Sequence, residues 1–254
     1  MRYLTLLIAG LALSVAGASA AALNRSPEWE PEPRATAPAP PPNPVEQSLA
    51  RPEPDPSRRI VIARDMRMLW LVEGADTLLK TRVAVGSMDT LSYGKQSWRF
   101  ETPQGVRSVR GKEANPVWVP PLWHFVERAR EAKRPLVELK SAGGYAFPDG
   151  SRVVVRGGKV GHLLANGAFI PTEVGDEVVI NGILFVPPLG SENRRVAGEL
   201  GAYKLDLGDG YLIHGTPHKD SLGKAATHGC IRVGEEALKF LFENVSIGTR
   251  VHIL

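Results

Sequence analysis

One cysteine is all that the 254-residue chain contains, so no disulfide can form within it and a packed core must carry its stability. Its 31 Lys and Arg outnumber 27 Asp and Glu, yet they form no dense run and no stripe interleaved with aromatics. That excludes a nucleic-acid partner as the meaning of a pI near 9.3 and leaves weak attraction to an anionic polymer or membrane surface. No internal repeat is visible. The main apolar run, Leu4 to Val15, falls short of the ~20 residues that a membrane-spanning helix needs. No cysteine lies near it, which also excludes a lipid-modified cysteine as an anchor.

What is present divides the chain into three. Residues 1–20, "MRYLTLLIAGLALSVAGASA", combine a basic start at Arg2, a short apolar core and the small residues Ala18, Ser19 and Ala20. This is the layout of a secretory signal peptide, so the protein is expected to be exported, with no stable membrane span after cleavage. Residues 21–58 read as a disordered linker, because Ser26 to Ser57 holds 11 of the 21 prolines and few residues able to pack. Residues 59–254 are then the ordered domain. The chain's composition, 43% hydrophobic and 23% charged, suits one sizeable core.

Short β-rich runs dominate that domain. "RIVIARDMRMLWLVEGADTLLKTRVAVG" predicts two or three antiparallel strands broken at Arg64-Asp65 and Gly74-Ala75-Asp76. Further strands are expected in "SRVVVRGGKVGHLL", "DEVVINGILFVPP", "GAYKLDLGDGYLIHG" and the closing "TRVHIL". Asn181-Gly182 is placed as a type I′ hairpin turn. Two helices are predicted from i, i+3, i+4, i+7 spacing: one on Leu122, Phe125, Val126 and Ala129, the other on Leu238, Leu241, Phe242 and Val245. Glu235 and Glu236 fall in the first turn of the second, where the helix dipole favours acids. The fold expected is mainly β: a sandwich-like antiparallel domain with a few short helices.

The stretch "HGTPHKDSLGKAATHGCIRV", His214 to Val233, gathers three of the six histidines around the lone thiol Cys230. A thiol attacks as thiolate, and a neighbouring imidazole is the usual means of lowering its pKa from ~8.5. His214 ends the apolar run "GYLIH", and a Gly-rich polar loop could fold Cys230 back onto it. A third group must orient the imidazole through its other nitrogen; backbone carbonyls near Gly215 and the carboxylate of Asp220 are the candidates. Three readings stay open on spacing alone: Cys230 as nucleophile with His214 as base, zinc held by His214, His218, His228 and Cys230, or a structural cluster. Against zinc, His228 and Cys230 are only two apart, and Gly215 and Pro217 disfavour a helix that would align His214 with His218.

At these residues the chain resembles the L,D-transpeptidase catalytic domain, also called YkuD, whose signature is a histidine, a spacer, then Ser/Thr-His-Gly-Cys and a downstream Arg or Asn. Here it reads His214, then Thr227-His228-Gly229-Cys230-Ile231-Arg232. "ETPQGVRSV", "NPVWVPP" and "VPPLGSENRRVAGELGAYKLDL" resemble other segments of the family, in its order. The resemblance implies a YkuD-type fold over residues 59–254 and a cysteine thioester mechanism with no cofactor and no metal. It implies Cys230 as nucleophile, His214 as base and the Gly215 carbonyl as third group. It further implies His228 and the Gly229 and Cys230 N–H groups as oxyanion support, with Arg232 and Thr227 on the substrate side. The partners implied are peptidoglycan stem peptides in the periplasm or cell envelope, where the terminal D-alanine is released. The acceptor would be another stem's amine or a wall-attached protein; with water instead, the same site would act as a carboxypeptidase or amidase. The alternative from another class is a catalytically silent wall-binding module, against which the complete Cys230 and His214 pair argues.

One departure stands out. More residues separate "VPP" at Val119 from "VPPLG" at Val186 than the family pattern leads one to expect. The excess, about 141–183, reads as β-hairpins and predicts an inserted region beside the cleft. Trp118 and Trp123 read as core residues, His218 as a loop residue near the cleft, and His124, His162 and His252 receive no role.

Overall fold

The structure is a computed structural model and describes residues 57–140 and 144–254. The predicted signal segment and nearly all of the predicted linker lie outside the described residues.

The first three predicted strands form where expected, as β1 (Arg58–Ala63), β2 (Met68–Glu73) and β3 (Asp76–Gly86), paired antiparallel in turn. Alternation explains their burial: Ile60, Ile62, Leu69 and Leu71 all lose their solvent contact on one face of the sheet. The closing strand Arg250–Ile253 runs parallel to β1 and pairs on its far side with Gly105–Ser108. On the other flank of β3 come Ile231–Val233, Leu212–His214, Tyr203–Asp206 and Gly111–Ala114, completing a ten-stranded sheet with Ala225–Thr227 also paired to β3.

The path of that sheet forces its shape. Its two ends, Gly105–Ser108 and Gly111–Ala114, are joined by only two intervening residues. Consecutive Cα atoms are 3.8 Å apart, so Ser108 and Gly111 are within roughly 11 Å of one another. The sheet must therefore curl until its edges nearly meet, enclosing a core of Ile60, Leu71, Val83, Leu205, Ile213 and Ile231.

Both predicted helices are present. α1 (Leu122–Glu131) follows Pro120-Pro121 and buries Phe125, Val126 and Ala129; prolines are tolerated there because the first N–H groups of a helix have no partner within it. α2 (Glu235–Asn244) starts with Glu235 and Glu236 and drives Leu238 and Leu241 fully into the main core. Truncating either leucine to alanine removes packing worth about 2–5 kcal/mol.

The mainly β fold is as expected, but its pairing is mixed, with four parallel pairings among the described strands: β1 with Arg250–Ile253, β3 with Ala225–Thr227, Leu212–His214 with Ile231–Val233, and Leu136–Glu138 with Ile183–Val186. Parallel neighbours need long connections rather than tight turns, so hairpin signals in the sequence are silent about them.

The predicted hairpin region exists and has its own core. Four antiparallel strands between Tyr145 and Pro171 form one sheet. The Asn181-Gly182 hairpin, with both residues at positive φ, forms another with Leu136–Glu138. Leu139, Val153, Val160, Val178 and Phe185 pack between them. Leu136–Glu138, which precedes the insertion expected at about 141–183, is recruited into this region by pairing with Ile183–Val186, so its strands run from 136 to 186. Asn193 ties it to the body, accepting from the Val160 N–H at 2.8 Å and donating to the Thr172 carbonyl at 3.0 Å.

Candidate active site

Two neighbouring strands set the relation between Cys230 and His214. Leu212–His214 and Ile231–Val233 run parallel with Ile213 opposite Ile231 and His214 opposite Arg232. Ile213 and Ile231 are fully buried in the core. Side chains alternate between faces, so His214 and Arg232 share the opposite face, and Cys230 immediately precedes the second strand. With strands ~4.8 Å apart and a two-residue offset, the Cα atoms of Cys230 and His214 are roughly 8 Å apart, a gap their side chains can span.

The imidazole is held by its own strand end. His214 is 5% exposed, and its Nδ1 lies 2.6 Å from the Gly215 carbonyl oxygen. That oxygen can only accept, so Nδ1 carries the proton and Nε2 is left with a lone pair. Of the two candidate orienting groups, the backbone carbonyl is the one in place; Asp220 is exposed and sits 4.0 Å from Lys224. Gly215 is tightly confined: a Cβ there would meet the Gly201 Cα and Glu235 Oε2, both at 2.9 Å. Glu235 also accepts from the Ala202 N–H at 3.2 Å, so the start of α2 braces the turn after His214.

Burial governs both ionisable groups. It lowers the His214 pKa to about 4; the Gly215 contact opposes this, and the Arg232 charge adds to it. It raises the Cys230 pKa, with a backbone hydrogen bond from Leu212 and the Arg232 charge pulling the other way. The expectation of a thiol lowered by its imidazole is thus corrected: desolvation penalises both charged forms, and the resting pair is a neutral thiol and a neutral imidazole. Cys230 is half-buried, and its Sγ donates to the Gly210 carbonyl at 3.7 Å rather than to His214.

The turn before Cys230 is held from several sides. Thr227, expected to contact substrate, is 3% exposed; its hydroxyl donates to the Cys230 carbonyl at 2.6 Å and accepts from the Gly229 N–H at 3.1 Å. It therefore staples the turn from inside. Gly229 has φ +123, and a Cβ would lie 3.0 Å from both the Glu101 carbonyl oxygen and Tyr211 Cε1, so only glycine fits. Its N–H, expected to serve an oxyanion, rests on Thr227.

Sequence reasoning missed three of the holding residues. Thr102, 1% exposed, accepts from the Gly86 N–H at 2.8 Å and donates to the Gly229 carbonyl at 2.9 Å, joining β3 to the turn. His228 places Nε2 at 3.0 and 2.9 Å from the two Glu127 oxygens and stacks on Trp123 at 3.9 Å. Thr102 and Trp123 lie in the quoted "ETPQG" and after "NPVWVPP", so their neighbourhoods were visible while their partners were not. Glu127 carried no signal beyond its place on a helix. A cavity of about 370 Å³ opens on the His228 side, lined by Ser87, Asp89, Phe100, Glu127, Thr227 and His228 among others; neither Cys230 nor His214 lines it.

Of the residues weighed as zinc ligands, His228 is engaged by Glu127, His218 is exposed and 4.0 Å from Glu199, and among the described residues no three His, Cys, Asp or Glu converge in a ligating group. His124 packs edge-on to Trp118 at 4.9 Å, with burial lowering its pKa to about 4. His162 meets the Ser151 hydroxyl at 2.9 Å.

The fold is a curled β-sheet in which His214 ends one strand and Cys230 precedes its parallel neighbour. The family model of the L,D-transpeptidase catalytic domain, YkuD, matches residues 57–253, and the chain belongs to that family. It is 25% identical over 211 residues to "Probable L,D-transpeptidase YbiS" of Escherichia coli, covering 83% of this chain and 48% of that protein. It is 26% identical over 211 residues to "Probable L,D-transpeptidase ErfK/SrfK" of Salmonella typhimurium, with the same coverage. The chain thus spans about half the length of the curated relatives it matches. Among solved structures it resembles the L,D-transpeptidase of Xylanimonas cellulosilytica, at 15% identity and a TM-score of 0.41, covering 84% of this chain and 70% of the other. Among the described residues no helix is long and apolar enough to cross a membrane.

Proposed function

We propose that the protein is an exported L,D-transpeptidase that acts on peptidoglycan stem peptides in the cell envelope through a Cys230 thioester. The observation that carries the reading is the pairing of the strand that ends at His214 with the strand that directly follows Cys230, with Nδ1 of His214 held by Gly215. This leaves Nε2 as the base toward the thiol. Release of the thiol from the Gly210 carbonyl toward His214 is the rearrangement assigned to substrate binding.

The neutral resting pair shapes the proposed chemistry. With a His214 pKa of about 4, forming the buried imidazolium at pH 7 costs about 4 kcal/mol. A preformed thiolate–imidazolium pair is therefore scarce, and the thiol proton passes to Nε2 as sulfur attacks the carbonyl carbon of the third stem residue. The imidazolium then protonates the departing amine of D-alanine as its C–N bond breaks, leaving a thioester. An acceptor amine, from a second stem or a wall-attached protein, attacks this thioester, and its proton returns to Cys230 by way of His214.

The oxyanion is proposed to be met at the turn His228-Gly229-Cys230, where the Gly229 donor exchanges Thr227 for the substrate; loss of one such donor typically costs about 3 kcal/mol. Arg232, set opposite His214 on the same face, is the proposed contact for a substrate carboxylate. The signal peptide 1–20, the linker 21–58 and the insertion 141–183 belong to this proposal as domain boundaries.

Incubation with a carbapenem tests it. Intact-mass analysis is expected to show one adduct on the wild type and none on Cys230→Ala; an unmodified wild type would count against the thiol enzyme. Muropeptide digestion then assigns the acceptor, because cross-linked, trimmed and protein-released products separate an amine acceptor from water.

A further inference from the structure

α1 engages two different parts of the protein. Phe125, Val126 and Ala129 are buried, Val126 beside Leu91 and Phe100, and the helix is tied to the hairpin region through Arg128. Arg194 lies 4.7 Å over the Phe125 ring while donating to the Pro120 and Pro187 carbonyls, both at 2.6 Å. Arg128 donates to Glu177 at 2.6 Å. Trp123 and Glu127, one helical turn apart, both reach His228.

That ring is constrained in every rotational sense. Trp123 stacks on it at 3.9 Å with an 18° interplanar angle, which fixes its plane. The two Glu127 oxygens at 3.0 and 2.9 Å fix its rotation within that plane. Phe100 closes a third side edge-on at 4.4 Å. The backbone of His228 leads directly into Gly229 and Cys230, and Thr227 on its other side is bonded to the Cys230 carbonyl. Holding the His228 side chain therefore holds the turn that presents the thiol.

We infer that Glu127 is a positioning residue for the catalytic turn, acting through His228, and that the hairpin region 136–186 serves the reaction by fixing the helix that carries Glu127. The inference deepens the transpeptidase reading and rests on it for the reaction. It gives the inserted region a task other than covering the substrate: a buttress behind the turn. It also gives His228 a role through its anchored side chain, with the oxyanion donors coming from the backbone it places.

A double-mutant cycle tests the coupling, with the rate constant of carbapenem acylation followed by mass spectrometry. Glu127→Ala is expected to slow acylation by up to about 100-fold, the loss typical of an ångström-scale misplacement. The melting temperature should change little, because a partly exposed polar side-chain contact contributes little to stability. In a His228→Ala background the same change should cost nothing further. Amide hydrogen exchange at Gly229 and Cys230 should quicken in Glu127→Ala.

A wild-type rate in Glu127→Ala, or losses that multiply in the double variant, would overturn the inference. If the alanine variant does not fold, the near-isosteric Glu127→Gln decides, since one lost acceptor should still slow acylation several-fold and a wild-type rate overturns the idea. If the wild type itself is not acylated, the transpeptidase reading fails on its own. Exchange at the two amides then judges the positioning of the turn, and unchanged protection in Glu127→Ala refutes it.

Discussion

Replacing Thr102 with valine removes one hydroxyl and almost no volume, at a side chain that is 1% exposed. The hydroxyl accepts from the Gly86 N–H at 2.8 Å and donates to the Gly229 carbonyl at 2.9 Å. Valine leaves both backbone groups buried without that partner, and each such group costs about 1–3 kcal/mol. Partial relief by local movement brings the expected loss to about 2–4 kcal/mol, or a fall in melting temperature of roughly 4–16 °C for a domain of this size. Thr102→Ser keeps the hydroxyl and loses one methyl, so it should cost no more than about 1 kcal/mol. Urea denaturation of the three proteins measures the difference directly. Acylation of Cys230 should fall in the valine variant even at temperatures where it is fully folded, because Gly229 is tethered by this bond. If Thr102→Val unfolds within 0.5 kcal/mol (about the spread of neutral surface changes) of the wild type and acylates at the same rate, the clamp contributes nothing and the reasoning fails.

Gly229→Ala meets both a φ of +123 and the Glu101 carbonyl at 3.0 Å; a stability loss of about 1–3 kcal/mol and loss of carbapenem labelling are expected, readable by calorimetry and mass. The His214 pKa, lowered to about 4 by burial, means that the unfolded chain takes up a proton near pH 6.5 that the folded protein refuses until about 4. Stability should therefore fall as pH drops through that window, by up to about 3 kcal/mol, and His214→Gln should flatten the slope, with His124 adding a second component of the same sign. The acylation rate should likewise hold from pH 7 down to about 5; an acid limb centred near 6.5 would show that the imidazole is not desolvated as the structure has it.

Much of this protein was determined by its sequence alone. Short β-rich apolar runs, "RIVIA" and "MLWLV", bounded by polar breaks, made paired strands. Leu122, Phe125, Val126 and Ala129 made a helix through their spacing at period 3.6. Asn181-Gly182 made a hairpin because both positions require positive φ. The neighbouring strands that carry His214 and lead out of Cys230 were legible as a motif, and the carbonyl bonded to the imidazole lay on the very next residue.

What the tertiary structure decided is what joins residues distant along the chain. The closing strand lies parallel to β1 across 186 or more intervening residues, Thr102 reaches Gly229 over 127 positions, and Glu127 reaches His228 over 101. Spacing rules act over a turn or two of chain, so they say which face a residue takes within its own element and nothing about what comes to meet it. Desolvation belongs to the same class. The thiol and imidazole are made neutral by the atoms packed around them, and that environment exists only once the sheet has curled and α1 and α2 have closed on the turn.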